Sequence, residues 1–240
     1  VRIEGTARVE GISWRSRGHD QRVDCDGVGY GLNLRSETQL ADLAGCTFSY
    51  DARDRVHLPL RDVSGRSSVA AVYLAGDGAR IAGADAAERA GERAALALLQ
   101  DRGLPHDAAR ASTLEHELQR IDRFRDVLEA AFPFPAHWAD DIADDTLLCR
   151  CEEVTAGEAR QAIRNFSLCE VNRLKAVSRV GMGRCQGRVC GAAASELVMR
   201  EAGRDIAAVG RLRAQPPIKP IPFSSSMSEP TSEEQHEPAR

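Results

Sequence analysis

Four of the seven cysteines fall in two tight groups, Cys149-Arg-Cys151 and Cys185-x4-Cys190, and the second group lies in a run with four glycines, Gly181, Gly183, Gly187 and Gly191. This placement restricts the chain more than any other feature. A disulfide needs a defined Cα separation and a torsion near a right angle, which two cysteines one residue apart reach only with strain. Both thiols can instead point the same way from a bent loop. The stretch between Cys151 and Cys185 has room for a helix, a turn and a second helix that bring the two loops together. Glycine tolerates positive φ and close backbone approach, so the second loop can wrap an object and aim N–H groups at it. Iron–sulfur clusters ask for that arrangement, since thiolate ligation and hydrogen bonds to sulfur set their potential. Isolated buried thiols would be the ordinary alternative, but two pairs at this spacing argue for a metal centre. Tetrathiolate zinc mostly uses C-x2-C knuckles, which neither pair has, and zinc stays open as a second reading.

The 240 residues, 42% of them apolar, suffice for one sizeable core, or a core and a smaller satellite. A formal net charge of −4 argues against nucleic acid as a partner. No apolar run approaches the roughly 20 residues of a membrane span, and no targeting segment is expected. An odd number of cysteines favours a reducing compartment, so the expected location is cytoplasmic, with a peripheral place at the inner membrane compatible. Val1 to Trp14 alternates apolar and polar residues around Gly5 and Gly11, the pattern of paired strands. The chain thus enters directly into strand-like sequence, and the expectation is a fragment that lacks an N-terminal half.

Further along, Arg22 to Gly31 reads as a strand ending in Gly27, Gly29 and Gly31, a G-x-G-x-G run expected to mark a close chain crossing and not a phosphate loop. Glu37 to Gly45 reads as a short helix with Leu40, Leu43 and Ala44 inward, and Cys25 and Cys46 as core residues. Val69 to Gly78 is expected to be a buried strand stopping at Gly76-Asp77, followed by a small-residue helix from Gly83 to Leu99 that Gly103 and Pro105 end. A carboxylate after a strand, with a helix start behind it, suits a nucleotide; Asp followed by Gly is also plain turn chemistry. Ser112-Thr-Leu-Glu115 has the form of a capping box opening a helix to about Ala131, with Leu114, Leu118, Ile121, Leu128 and Phe132 at helical spacing, expected to bridge two lobes. A second box, Thr155-Ala-Gly-Glu158, launches a helix through Phe166, and a third helix from Gly191 to Ala202 can turn its free N–H groups toward the cysteines. Cys169 lies on neither loop and is assigned to the core. From Gln215 the sequence becomes a proline-rich extended arm, then a Ser/Glu/Pro tail too polar to order.

The string Cys149-Arg-Cys151-Glu-Glu-Val-Thr155, with Gly181-Met-Gly-Arg-Cys185-Gln-Gly-Arg-Val-Cys190-Gly191, resembles the bacterioferritin-associated-ferredoxin-like 2Fe-2S domain. Together with Asp24 to Leu32, Leu40 to Gly45, and Val72 to Asp77 running on to Gly83-Ala84, it is similar to the flavoprotein subunits of opine oxidases, hydrogen cyanide synthase and heteromeric proline dehydrogenases. The resemblance covers the chain to about Phe223. It implies an α/β fold: the C-terminal part of a pyridine-nucleotide-disulfide-reductase-like FAD domain (1–105), a helical connector (106–145), a small helical 2Fe-2S domain (146–208), and an arm with a tail (209–240). By that similarity Cys149, Cys151, Cys185 and Cys190 ligate a 2Fe-2S cluster. Gly76 and Asp77 hold the ribityl chain of FAD, and Gly83 and Ala84 face the pyrimidine end of its ring. The family's N-terminal G-x-G-x-x-G has no counterpart here, so this FAD site is incomplete. Amine oxidation would fall to a separate FAD-dependent partner subunit, with this chain passing electrons as part of an oxidoreductase acting on CH–NH or CH–NH2 donors. Arg150, Arg179, Arg184 and Arg188 would raise the cluster's potential as nearby cations. Two other classes compete: a zinc- or cluster-holding adapter without catalysis, and a flavin-linked thiol–disulfide reductase using Cys185 and Cys190.

Overall fold

The structure is a computed structural model and describes residues 1–29, 31, 34–134, 138–140, 142–218 and 221–222. It divides into two compact units, Val1–Leu34 and the chain from Arg35 onward.

The first unit is a three-stranded antiparallel sheet, β1 (Arg2–Glu4), β2 (Gly11–Ser16) and β3 (His19–Asp24), in the order β1-β2-β3. Ile3, Ile12 and Val23 stand in register across it. The β2–β3 loop is the two-residue Arg17-Gly18, with φ of 50° and 82°, the positive pair that a tight hairpin of right-handed twist needs. Arg15 and Asp20 close the ladder at 2.8 Å, and Arg22 reaches Glu4 at 2.8 Å. Beyond β3 the glycine run makes no close crossing: a Cβ on Gly27, Gly29 or Gly31 would meet nothing within 4 Å. Tyr30, Leu32 and Asn33 lie outside the described residues. Cys25 is half-buried, not a core residue.

The second unit opens with α1 (Gln39–Leu43) and the hairpin β4 (Phe48–Asp51) with β5 (Val56–Pro59). In α1 the inward residue is Ala41; Leu40 and Leu43 are exposed, because a five-residue helix turns only one position to its support. Cys46 is buried as expected. Val69 to Gly78 is not a buried strand. It is a series of turns with one antiparallel bridge from Arg66 to Tyr73 and a 3-10 turn at Gly76–Gly78, and Asp77 is exposed. Its apolar run is spent on turns pinned by Ser67, whose hydroxyl accepts from the Val69 N–H and donates to the Val69 carbonyl.

Helices α2 (Ala84–Asp101) and α3 (Ala108–Ala131) form an antiparallel hairpin, as the order of the pairs Arg110–Glu92, Arg93–Glu115 and Arg89–Glu117 shows. The face α2 buries is Ala86, Ala90, Arg93, Ala94 and Ala97, a helical stripe of mostly small residues that lets its neighbours come close. The α3 N-terminus differs from the expected box. Asp107 caps it, its carboxylate accepting from the Arg110 N–H at 2.8 Å, while Thr113 bonds the Ala109 carbonyl and Glu115 bonds Arg93. A Ser/Thr-x-x-Glu pattern inside a longer helix looks the same in sequence as one at its start. α3 packs back on α2 over its first half, where Leu114 is fully buried; Leu128 and Phe132, expected inward, are exposed.

The remainder is a small helical region: β6 (Leu147–Cys149) paired with β7 (Val154–Thr155), then α4 (Ala156–Asn165), α5 (Val171–Ser178), α6 (Gly191–Ala202) and α7 (Ile206–Val209). The α4 box is complete, with the Thr155 hydroxyl accepting from the Glu158 N–H and the Glu158 carboxylate accepting from the Thr155 N–H. Glu170 and Asp205 cap α5 and α7, and Gly203 ends α6 in the left-handed conformation. Ile163, Val171, Leu174, Val180, Leu197, Val198 and Val209 form one core, and Cys149 and Cys190 belong to it. Cys169, expected in the core, is exposed on the α4–α5 connection. Lys219, Pro220 and the tail from 223 lie outside the described residues.

Candidate functional site

The four clustered cysteines come from three local devices. β6 delivers Cys149 to the core, where it is 1% exposed, and the tight β6–β7 turn, with Glu153 at φ 55°, leaves Cys151 at the surface. The glycine-rich loop carries Cys185, half-buried, and ends at Cys190, 2% exposed at the N-cap position of α6. The thiols approach each other in two pairs, Cys149 with Cys190 and Cys151 with Cys185.

Each loop glycine answers a specific neighbour. A Cβ on Gly183 would sit 2.2 Å from the Cys151 Cβ, so the two loops can close only if this position is bare. Gly181 and Gly187 adopt φ of 81° and 80°, and a Cβ on either would lie 2.5 Å from Leu212 Cδ1. Leu212 therefore seats on the loop from the other side, in a way nothing in its local sequence announces. The α6 N-terminus is used differently from expectation: the Gly191 N–H bonds the Gly187 carbonyl at 2.8 Å. The N–H groups of Gly187, Arg188 and Val189 are directed at the Cys185 thiol, and the Cys190 N–H at its own thiol. Burial pushes the Cys185 thiol up, but these bonds and the Cys151 contact outweigh it and bring it below its ordinary value. Cys190 is pushed up to about 12 by burial first, then by Cys149 and Cys185.

Among the described residues no three Cys, His, Asp or Glu side chains gather around a single point as one metal ion requires. Two thiol pairs, one supported by three N–H bonds and lined by glycines without room for a Cβ, instead fit a binuclear cluster, which distributes four thiolates over two irons. The arginines expected to act as free cations are partly neutralised. Arg179 pairs with Glu152 at 2.7 Å, and Arg188 pairs with Glu37 while donating to the Cys185 carbonyl at 3.3 Å and the Ile218 carbonyl at 3.0 Å. Arg150 and Arg184 are exposed and make no ion pair among the described residues.

The residues expected at a flavin, Gly76, Asp77, Gly83 and Ala84, are brought together. Gly76, at φ 59°, faces Ala87 of the first α2 turn, where a Cβ would stand 3.4 Å from the Ala87 side chain. Asp77 is exposed beside it, and Gly83 and Ala84 form the exposed, unobstructed start of α2. The same turn is one contact from the cysteine loop: a Cβ on Gly78 would be 3.6 Å from the Glu37 carbonyl oxygen, and Glu37 holds Arg188. Three more ties secure segment 37–42 to the cysteine side, Gln39 donating to the Gln186 carbonyl at 3.1 Å, Asp42 bidentate to Arg211 at 2.7 Å, and Asp42 accepting from the Ala214 N–H. None of these partners stands out in sequence, because each tie joins residues far apart along the chain.

Residues 147–200 match the family described as the BFD-like [2Fe-2S] binding domain. Over 92% of its length the chain is 37% identical to an opine oxidase subunit from Rhizobium meliloti, covering 42% of that protein. It is also 37% identical to the HcnB subunit of hydrogen cyanide synthase from Pseudomonas aeruginosa, over 82% of this chain and 42% of the relative. Among solved structures, L-proline dehydrogenase from P. horikoshii shares the fold, with a TM-score of 0.62 and 20% identity over 93% of this chain and 43% of that one. The chain thus spans less than half the length of these relatives. Among the described residues no helix is long and apolar enough to cross a membrane.

Proposed function

We propose that this chain, whose residues 147–200 match the BFD-like [2Fe-2S] binding domain, is the electron-passing part of a flavin- and iron–sulfur-containing oxidoreductase subunit, with Cys149, Cys151, Cys185 and Cys190 as cluster ligands. The observation that carries this reading is the pair of thiol contacts closed over Gly183 within the matched segment. When bound, the cluster supplies one-electron transfer. The chain's own groups do the rest. Gly187, Arg188 and Val189 direct N–H groups at the Cys185 sulfur and stabilise negative charge there. Leu212 covers the glycine loop and limits water access, and the Glu37–Arg188 pair holds the loop against the Gly76–Gly78 turn.

FAD is the second cofactor in this reading, with Asp77 offering a carboxylate to its hydroxyls, Gly76 its close approach, and Gly83 and Ala84 the helix start. Residues 1–105 would then be part of the flavin domain, 106–145 the helical connection, 146–208 the cluster domain and 209–240 the arm and tail. Relatives named as subunits of opine oxidase and hydrogen cyanide synthase support a hetero-oligomer, and in this reading an FAD-dependent partner subunit oxidises a CH–NH or CH–NH2 donor. The test is anaerobic purification with iron, sulfide and zinc analysis. Two irons and two sulfides per chain are expected, with the visible spectrum lost in Cys149→Ser and kept in Cys169→Ser. A colourless protein holding one zinc, or the opposite response of the two variants, overturns the ligand set.

A further inference from the structure

The loop that carries Cys185 has no apolar anchor of its own. Residues 181–189 contribute no side chain to the core that holds Cys149 and Cys190, and the two apolar side chains among them, Met182 and Val189, are 41% and 70% exposed. The anchor comes from a later segment. Leu212 packs on that core and places its side chain in a cup of three glycines: a Cβ on Gly181 or Gly187 would lie 2.5 Å from its Cδ1, and one on Gly191 3.3 Å from it. Farther on, the Pro217 carbonyl accepts from the Gln186 amide at 2.6 Å and the Ile218 carbonyl from Arg188 at 3.0 Å, so the segment crosses the loop and stays bound to it. All of it lies beyond residue 200, where the match to the iron–sulfur domain ends.

Two anchors on different elements hold this segment down. On α5, Asn172 donates to the Arg211 carbonyl at 2.9 Å and accepts from the Arg213 N–H at 3.0 Å. On α1, Asp42 makes a bidentate pair with Arg211 at 2.7 Å and accepts from the Ala214 N–H at 2.6 Å, while the Arg211 guanidinium lies 3.7 Å over the Phe48 ring. A forked arginine–carboxylate pair is directional as well as strong, so it fixes where residue 212 points. The inner thiols lie behind this arrangement: Cys149 and Cys190 are 1% and 2% exposed, and the glycine loop must move before anything reaches them. A loop held by one borrowed side chain is the kind of element that opens locally while the core stays closed.

We propose that residues 211–218 are a latch on the cysteine loop. Leu212 is the positioning residue that keeps the loop closed, and the Asp42–Arg211 pair keeps Leu212 seated, so that access to the four thiols is controlled from α1, far from them in sequence. What the latch retains rests on the reading of the cysteines as cluster ligands; the closing of the loop does not.

Hydrogen exchange of the full chain as purified tests the closing directly, at the Gln186, Arg188 and Gly191 amides, which bond the Gly183, Cys185 and Gly187 carbonyls. Leu212→Ala should speed their exchange at least about tenfold and Asp42→Asn by a smaller factor, whereas Leu212→Met, which keeps the volume, should stay close to the parent. Glu115→Gln, which weakens the fold on α3 away from the latch, should leave these amides unchanged and so separates control of the loop from general loss of stability. Iron loss to a ferrous-iron chelator should accelerate in the same order, Leu212→Ala before Asp42→Asn. Unchanged exchange in Leu212→Ala, equal acceleration in Glu115→Gln, or faster exchange without faster iron loss overturns the latch. A protein that holds no iron but shows the expected exchange supports the latch and counts against the cluster reading instead.

Discussion

Where α4, α5 and α6 meet, the contacts are between Ile163, Val171, Leu174, Leu197 and Val198, all at most 2% exposed. Where α2 meets α3, they are between alanines, one leucine and a set of arginine–carboxylate pairs, with Arg93 itself buried among them. Nearby, Asp54 bridges Arg80 and Arg125, and Asp122 bridges Arg53 and Arg80. An apolar core holds loops at a fixed separation without regard to ionic strength, which suits two cysteine loops that must stay in register. A small-residue helix contact ringed by partly exposed pairs gains little from each pair, of order 0–1 kcal/mol, and is weakened by salt. The cysteine side is thus built for rigidity, and the hairpin side for a closely approached helix start whose surroundings stay polar.

The sharpest way to break this contrast is a large-to-small substitution on each side. Leu174→Ala should cost about 2–5 kcal/mol in denaturant unfolding and release the cysteine loops, whereas Leu118→Ala on half-buried α3 should cost less than half as much. Equal costs would show that both regions rest on apolar packing. Next in size, Glu115→Gln leaves the buried Arg93 guanidinium short of its carboxylate, and a loss of about 2–3 kcal/mol is expected from the same measurement. Thr155→Ala removes the α4 cap and should cost about 1 kcal/mol, read as faster hydrogen exchange in the first α4 turn.

The smallest effect is an acid one. Hydrogen bonds from Arg66 and Tyr73 hold the Asp101 carboxyl down at about 2, against 3.8 when free. A depressed carboxyl contributes stability that is whole above the free value and is lost as pH falls through the folded one. Exchange protection at the C-terminal end of α2 should therefore decline between pH 3.8 and about 2, with the Leu174 and Val198 amides unaffected by this group. If the core amides fail first, the contrast is wrong.

Much of the cysteine region was legible because its signals are local. The Thr155–Glu158 box, the α6 start after Cys190 and the glycine-flanked thiols each depend on residues within a turn or two of one another. The hairpin side was read less well. The Ser112–Glu115 pattern gave way to Asp107, and Val69 to Gly78 proved to be turns, since alternation and capping motifs do not say which of several possible partners a segment meets. The group around Gly76 and Gly83 fell between these. Gly76 was read as a place of close approach and Gly83 as a helix start, but that both take positive φ and that Gly76 faces Ala87 are tertiary facts.

By itself the sequence determined that four thiols and their glycines would form the centre of this protein, because one-residue and four-residue spacings and the absence of Cβ atoms act over a few bonds. Only the tertiary structure decided what the glycines are for: Gly183 clears Cys151, and Gly181 and Gly187 clear Leu212. It also decided that Glu37 would compensate Arg188. Contacts of this kind are set by where distant segments pack, and no local pattern encodes the partner.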